Sequence, residues 1–270
     1  MTIHRLILCC ALSLASVVSA HPGQHEQLAR INLSMQQQPA NQALYMQRGV
    51  IYSNAGQFEE AMADYAQAEA LGPPILVAHD LGVLYYRMGD FERAAQYLDT
   101  YLVQFPSSAA TYDYRARVAR DSGDLPRAVA ELDMYFTVQE RPHPGNYLAA
   151  ANMLQQMGKT DEALSRLDQG LEQLGLIPQL QRRAIELELQ RKQPDNAIIR
   201  HESLRVPLHE SPGWKLQKAE LLLRVNRRSE AENLVIAATT ELAELRPTPA
   251  RQQLQQQAQE MLRALDTTAR

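Results

Sequence analysis

The sequence has very little cysteine and few aromatic residues. Its 270 residues include two Cys, 12 Gly, 14 Pro, four Phe and one Trp. The modest Gly and Pro content excludes a collagen-like or low-complexity chain. Both cysteines, Cys9 and Cys10, lie near the start of the chain. The remainder therefore has no thiol for a disulfide or a thiolate metal site, which is compatible with an oxidising compartment.

The chain also lacks an excess of basic residues. It has 27 Lys and Arg against 31 Asp and Glu, for a formal net charge of −4. Without a basic excess, general nucleic-acid binding is not expected. The sequence has no Gly-rich phosphate loop, no Gly-x-Ser-x-Gly elbow and no His-Glu-x-x-His zinc motif. We therefore predict a non-enzymatic protein without a cofactor.

Only one long apolar run is present, from Leu6 to Val18. It follows Arg5 and ends in small residues, which is the layout of a secretory signal peptide cleaved after Ala20. The run is shorter than the roughly 20 residues that span a bilayer. We therefore predict an exported protein, periplasmic or secreted, without an integral membrane span. The alternatives are a buried helix, or a lipid anchor at Cys9, although a lipoprotein signal normally has a small residue before its cysteine.

A repeat runs through the rest of the chain. Alanines recur at intervals of 33 to 35 residues, each after a turn and before a helical apolar stripe: Ala61, Ala94, Ala128, Ala163, Ala197 and Ala231. A fixed period near 34 residues predicts stacked copies of one small structural unit.

The copy between residues 42 and 73 shows what the unit is. Apolar residues three or four apart predict a first helix, which Gly56 ends because glycine readily takes a positive φ. A second helical run follows to Gly72, where Pro73 prevents continuation. Gly49 and Ala61 are small where the two helices would cross, so the unit is a helix, a tight turn and a second helix.

These residues resemble the tetratricopeptide repeat (TPR) family. The match rests on small, aromatic and turn residues at the family's signature positions: Gly49, Tyr52, Gly56, Ala61, Tyr65, Ala68 and Pro73, then Gly82, Tyr85, Gly89 and Ala94, then Gly123 and Ala128, then Gly158 and Ala163. The fifth and sixth copies keep Ala197 and Ala231 but have Lys192 and Asn226 where the turn glycine is expected. We expect local distortion in the fifth copy, because lysine tolerates a left-handed backbone less well than asparagine does.

The resemblance implies an all-α fold, a right-handed α-solenoid of about six helix–turn–helix units with capping helices at both ends. The predicted boundaries are a signal peptide at 1–20, an N-terminal capping helix at 21–41, repeats at 42–243 and a C-terminal capping helix at 244–270. The units are expected to start near residues 42, 75, 109, 144, 178 and 212. A coiled coil is the alternative for the last helix.

The resemblance also implies a ligand groove lined by the first helix of each pair. The inward positions would be Met46, Val50, Asn54, His79, Val83, Tyr86, Arg87, Asp113, Arg117, Arg120, Leu148, Asn152 and Gln155. The arginines would suit a carboxylate or an acidic peptide segment. The alternative is that Arg117 and Arg120 pair with acids of the chain itself, such as Asp113 and Asp121. Because Met46 and Val50 occupy the start of the family's two-carboxylate clamp, binding of chaperone tails by that clamp is not expected.

Histidines give one further hypothesis. After cleavage, the chain would begin at His21, whose amine and imidazole could hold copper together with His25. The alternative is a solvated terminus without metal. His201 and His209 flank a link in the fifth copy, and we expect both at the surface.

The leading hypothesis is an exported scaffold that binds a protein or peptide partner in the cell envelope. The alternatives are a periplasmic metal-binding protein that uses the terminal histidines, a self-associating oligomer, and an enzyme whose residues match no motif.

Overall fold

A computed structural model describes residues 22–267. Fourteen helices and no strand lie in this range, which confirms the all-α prediction. The predicted signal peptide and His21 lie outside the described residues. The helices are α1 (Pro22–Gln37), α2 (Gln42–Asn54), α3 (Phe58–Leu71), α4 (Ile75–Arg87), α5 (Phe91–Gln104), α6 (Ala109–Asp121), α7 (Leu125–Val138), α8 (Pro144–Gln156), α9 (Thr160–Leu174), α10 (Pro178–Gln190), α11 (Pro194–Ser203), α12 (Pro212–Arg224), α13 (Arg228–Glu244) and α14 (Pro249–Thr267).

The chain divides into two compact units. Unit 1 ends at Pro106 and contains α1 to α5, and unit 2 begins at Ser107 and contains α6 to α14. In unit 1, α2 packs against α3 and α4 against α5. In unit 2 the packed pairs are α6 with α7, α8 with α9, α10 with α11, and α12 with α13. The last helix, α14, packs on α13 and also reaches α12.

Small residues let the two helices of each pair cross closely. All six repeating alanines, on α3, α5, α7, α9, α11 and α13, are 0% exposed. At Gly49 on α2, an added methyl group would lie 2.5 Å from Cε1 of Tyr65 on α3. At Gly82 on α4, it would lie 2.6 Å from Cγ of Leu98 on α5. Larger side chains at these positions would separate the helices.

The turn inside each pair has a left-handed residue. Glycine supplies it in the first four pairs, with φ between 74° and 90°, at Gly56, Gly89, Gly123 and Gly158. In the last two pairs Lys192 and Asn226 take the same conformation, with φ of 58° and 59°. The turn at Lys192 thus keeps the shape of the glycine turns, at a cost in backbone strain that glycine avoids.

We expect Lys192→Gly to raise the free energy of unfolding by about 0.5–1 kcal/mol. A side chain at positive φ costs about 1–2 kcal/mol, and the greater freedom of glycine in the unfolded chain offsets part of the gain. Urea unfolding followed by circular dichroism measures the difference. Lys159→Gly is the control: Lys159 lies in the α8–α9 turn of the preceding pair but has a φ of −92°, so the change should give no gain. Equal or lower stability of Lys192→Gly would refute strain at this turn.

The irregular part of the fifth pair lies after its second helix rather than at its turn. Helix α11 has only 10 residues. The link from Leu204 to Ser211 follows, and two consecutive residues in it, His209 and Glu210, have φ of 52° and 48°. Local distortion was expected in this copy, and the irregular backbone lies in the link after α11, whereas the turn at Lys192 is regular.

The buried pair His201 and Trp214 joins α11 to α12 beside this link. The prediction that His201 lies at the surface was wrong, since it is 2% exposed. Its ring stacks on that of Trp214, with centroids 5.2 Å apart. Its Nε2 lies 3.0 Å from the Trp214 carbonyl oxygen, and the indole Nε1–H donates to the His201 carbonyl oxygen at 3.1 Å. Burial lowers the pKa of His201, which favours the neutral ring.

Candidate functional site

In unit 1, two first helices carry the predicted groove residues. Helix α2 carries Met46, Val50 and Asn54, and α4 carries His79, Val83, Tyr86 and Arg87. Val50 is 37% exposed and Asn54 is exposed, whereas Met46 and Val83 are half-buried. This surface is therefore mixed, with apolar side chains beside polar ones.

Arg87 ties the ends of these two helices together. Its Nη1 donates to the carbonyl oxygen of Ser53 at 3.1 Å. This carbonyl belongs to the last turn of α2, where main-chain oxygens have no partner within the helix. The guanidinium remains exposed, so it caps a helix end and also contributes positive charge to the surface of unit 1.

Asp80 is a residue that the sequence reasoning missed. It lies on α4 next to His79, and one turn before Val83 on the same side of the helix. Burial raises the pKa of Asp80 to about 6. Burial also lowers the pKa of His79, whose ring contacts that of Tyr101 at 5.4 Å. A lone aspartate in a helical apolar pattern gives no sequence signal of its burial.

We expect Asp80→Asn to raise the free energy of unfolding by about 2–3 kcal/mol at pH 7. In the unfolded chain the Asp80 carboxyl titrates near pH 4, so the folded state binds its proton more tightly. The folded state therefore has the full stability of a protonated Asp80 below pH 4 and loses it as the pH rises through 6. Unfolding by urea between pH 4 and pH 8 measures this. The gain of the variant over the parent should grow across that range, whereas a constant difference would contradict the raised pKa.

Unit 2 contains a cavity of about 290 Å³ between α6 and α8. It includes three of the predicted groove residues, Asp113, Arg117 and Arg120. The other lining residues are Ala116, Leu132, His143, Gly145, Asn146, Ala149 and Met153. His143 is the N-cap of α8, and its Nδ1 accepts a hydrogen bond from the Gly145 backbone N–H at 3.0 Å. The lining of the cavity thus combines apolar side chains with cationic and amide groups.

Acids of the chain itself hold the charges in this cavity. Arg117 Nη2 lies 2.6 Å from Asp113 Oδ2, and Asn146 Nδ2 donates to Asp113 Oδ1 at 3.1 Å. Arg120 makes two contacts with Asp121, at 2.7 and 3.1 Å. This is the internal pairing that the sequence left open as an alternative. Both arginine side chains are nevertheless 43% exposed, so solvent and a ligand can reach them.

The last two predicted groove residues belong to a separate polar network between α8 and α10. Arg183 Nε donates to Asn152 Oδ1 at 2.8 Å, and its Nη2 donates to Gln155 Oε1 at 2.9 Å. Gln155 in turn donates to Gln190 at 3.0 Å. Neither Asn152 nor Gln155 lines the α6–α8 cavity. Arg183 directly precedes Ala184, as Arg48 precedes Gly49, and this shared position is the sequence signal that could have identified it.

The described residues do not contain the complete metal site that the sequence suggested at His21 and His25. His25 is exposed on α1, and His21 lies outside the described residues. Residues 22–267 contain no group of three His, Cys, Asp or Glu side chains placed to hold a metal ion. Within the same range, no helix is both long enough and apolar enough to span a bilayer.

Comparison with protein families gives two matches, both to models described as tetratricopeptide repeat. They cover residues 43–73 and 79–143. The first contains the α2–α3 pair, and the second runs from α4 to the link before α8. No curated protein sequence matches this chain.

Solved structures resemble the chain at low sequence identity. A tetratricopeptide repeat protein from Parabacteroides merdae is 17% identical, with a TM-score of 0.50, over 87% of this chain and 92% of that one. PilF of Pseudomonas aeruginosa is 15% identical, with a TM-score of 0.55, over 73% and 90%. PilW, described as a widely conserved type IV pilus biogenesis factor, is 16% identical, with a TM-score of 0.57, over 70% and 87%. At these identities the similarity shows the fold.

Proposed function

Because this chain is a tetratricopeptide-repeat protein, we propose that it is an exported, non-enzymatic scaffold that holds a protein or peptide partner in the cell envelope. The fold supports a protein-interaction scaffold, since stacked helix pairs present extended surfaces. The α6–α8 cavity is the contact surface in this proposal. The observation that carries it is a cavity of about 290 Å³ with two exposed arginines at its side.

The arginines of the cavity can bind a ligand without losing their own acids. Asp113 is only 17% exposed, so it stays with Arg117, whose side chain is 43% exposed. A guanidinium has five N–H donors, and the contact with Asp113 is made through Nη2. A carboxylate of the partner can therefore accept charge-assisted hydrogen bonds from other N–H groups of Arg117 and from Arg120. A partner segment with one carboxylate and an apolar side chain fits these polar groups and the apolar lining formed by Leu132 and Met153.

The double variant Arg117→Ala/Arg120→Ala tests the contact surface. The tagged full-length chain is expressed in its source cell, partners are fixed by chemical crosslinking, and the captured proteins are quantified by mass spectrometry. We expect the captured amount of the partner that the parent chain enriches to fall about tenfold. The reason is the loss of two charge-assisted contacts of roughly 0.7 kcal/mol each. Arg205→Ala removes an arginine that is 51% exposed and ion-paired elsewhere in unit 2, and should capture as the parent does. Undiminished capture by the double variant would overturn the proposed surface.

Export rests on the pattern of residues 1–20. Intact-mass measurement of the protein recovered from cells tests it directly. The proposal requires a chain that begins at His21, without added lipid. A mass that still includes residues 1–20 would contradict export to the cell envelope, whereas the proposed scaffold function would be unaffected.

A further inference from the structure

A second surface of unit 2 carries cations without partners. Lys192 lies in the α10–α11 turn, Arg224 is the last residue of α12, and Arg228 is the first residue of α13. We call these three residues the basic edge. Lys192 and Arg224 are exposed and Arg228 is half-buried. Within residues 22–267, none of the three side chains makes an ion pair or a hydrogen bond, whereas most other basic side chains of unit 2 do.

Two contacts place these turns along one side of unit 2. In the α10–α11 turn, Arg191 Nε lies 2.9 Å from Oδ1 of Asp161, at the start of α9. In the α12–α13 turn, Arg227 donates hydrogen bonds to Glu230, which raise the pKa of Arg227, and the charge of Asp195 at the start of α11 raises it further. In both cases an arginine of one turn faces the first turn of the second helix in the preceding pair. The turns of successive pairs are therefore neighbours, and their charges add.

Earlier turns of unit 2 differ in charge. The α6–α7 turn has Gly123 followed by Asp124, which accepts a hydrogen bond from the Arg127 N–H. The α8–α9 turn has Gly158 followed by Lys159, and that lysine pairs with Glu162 at 3.2 Å. Among the turns inside the helix pairs of unit 2, unpaired cations are thus found in those of the last two pairs.

The backbone at Lys192 indicates that its side chain has a use. Four other turns have glycine at this position, whereas this turn has lysine with φ of 58°. Strained residues persist where a requirement other than stability holds them, and they are frequent at functional sites. The Lys192 side chain is exposed and makes no ion pair or hydrogen bond, so no such contact accounts for it.

We propose that the basic edge binds an acidic segment of a partner protein, independently of the α6–α8 cavity. A protein segment fits this edge better than an anionic bilayer does. Asp195 and Glu230 lie among the cations, and the whole chain has a net charge of −4. A flat anionic surface would meet these acids together with the cations, whereas a flexible segment can set its carboxylates against the cations alone.

Fluorescein-labelled hexaglutamate is the probe, and its binding is followed by fluorescence anisotropy at low salt. All measurements use the full chain with Arg117→Ala/Arg120→Ala, so that the cavity does not contribute. We expect saturable binding that weakens as salt rises. Adding Lys192→Ala, Arg224→Ala and Arg228→Ala should weaken it at least tenfold, because each exposed charge contributes up to about fivefold.

Two turn variants separate charge from strain. Lys192→Gly should bind the probe about threefold more weakly while its melting temperature rises. Asn226→Gly relieves the equivalent turn without removing a charge, so it should also melt higher and bind the probe unchanged. Loss of affinity in Asn226→Gly equal to that in Lys192→Gly would assign the effect to turn geometry and overturn the proposal.

Vesicles of phosphatidylglycerol and phosphatidylcholine provide the competing class of ligand. The parent chain should stay in the supernatant when they are sedimented. No binding of hexaglutamate, equal binding by the variant with three alanines at the basic edge, or sedimentation with vesicles in place of peptide binding would each overturn the proposal. None of these outcomes affects the cavity, which the arginine variants test by partner capture.

Discussion

Trp214→Ala will lower the free energy of unfolding by about 3–5 kcal/mol, the range found for large-to-small changes of buried aromatic residues. Trp214 is 2% exposed and packs in the core of α10 to α14 with Ala197, Leu222 and Val235. The change would also leave His201 without its stacked ring and without the indole donor to its carbonyl oxygen. A buried carbonyl that loses its donor adds to the cost of the cavity.

Urea unfolding followed by circular dichroism measures this loss, since the variant lacks the only tryptophan for fluorescence. Trp214→Phe is the matched control, because it keeps a ring in place and removes only the donor. It should cost about 1–2 kcal/mol less than alanine does. Equal effects of the two variants would show that the hydrogen bonds, and not the packing, hold α11 to α12.

Arg48→Met will lower the free energy of unfolding of unit 1 by about 3 kcal/mol, as expected when one partner of a largely buried ion pair is removed. Arg48 bonds to Asp64 through both ends of its guanidinium, at 2.8 and 2.7 Å. Asp64 is 4% exposed, so its carboxylate would remain buried without its cation. The hydrogen bonds that Arg48 donates to Asp64 raise the pKa of Arg48, so its guanidinium stays charged.

The double variant Arg48→Met/Asp64→Leu should recover most of this loss, because apolar replacement of both partners avoids an unpaired charge. Arg30→Ala provides the exposed comparison. Its pair with Glu26 has side chains 69% and 73% exposed and should contribute less than about 0.5 kcal/mol. Thermal and urea unfolding of the four proteins measure these differences. A double variant as unstable as Arg48→Met would show that the charge pair itself stabilises unit 1.

The repeat of small residues was enough to predict the helix pairs. Ala61 and its five equivalents are all fully buried, because a crossing point between two helices accepts only a small side chain. That constraint is local and recurs, so it can be recognised in the sequence. The turns were also predictable, since one left-handed residue must follow each first helix, and Lys192 and Asn226 supply it where glycine does not.

The side chains that join one pair to the next could not be predicted in this way. His201 was expected at the surface and is buried, because its ring stacks on Trp214 of α12, 13 residues further along the chain. Arg183 holds Asn152 and Gln155, although 28 or more residues separate them in sequence. Asp80 is half-buried by packing around α4 that leaves no pattern in the sequence. Contacts between helix pairs depend on how successive pairs stack, and the repeating sequence pattern does not specify that stacking.

A photocrosslinking amino acid at Ala149 is the most direct test of the proposed contact surface, because this residue lines the α6–α8 cavity. The comparison position is Met134, which is 44% exposed on α7, a second helix. The account predicts that a partner crosslinks from position 149 and that Arg117→Ala/Arg120→Ala removes the product. Crosslinking from position 134 alone, or from position 149 irrespective of the arginines, would contradict it.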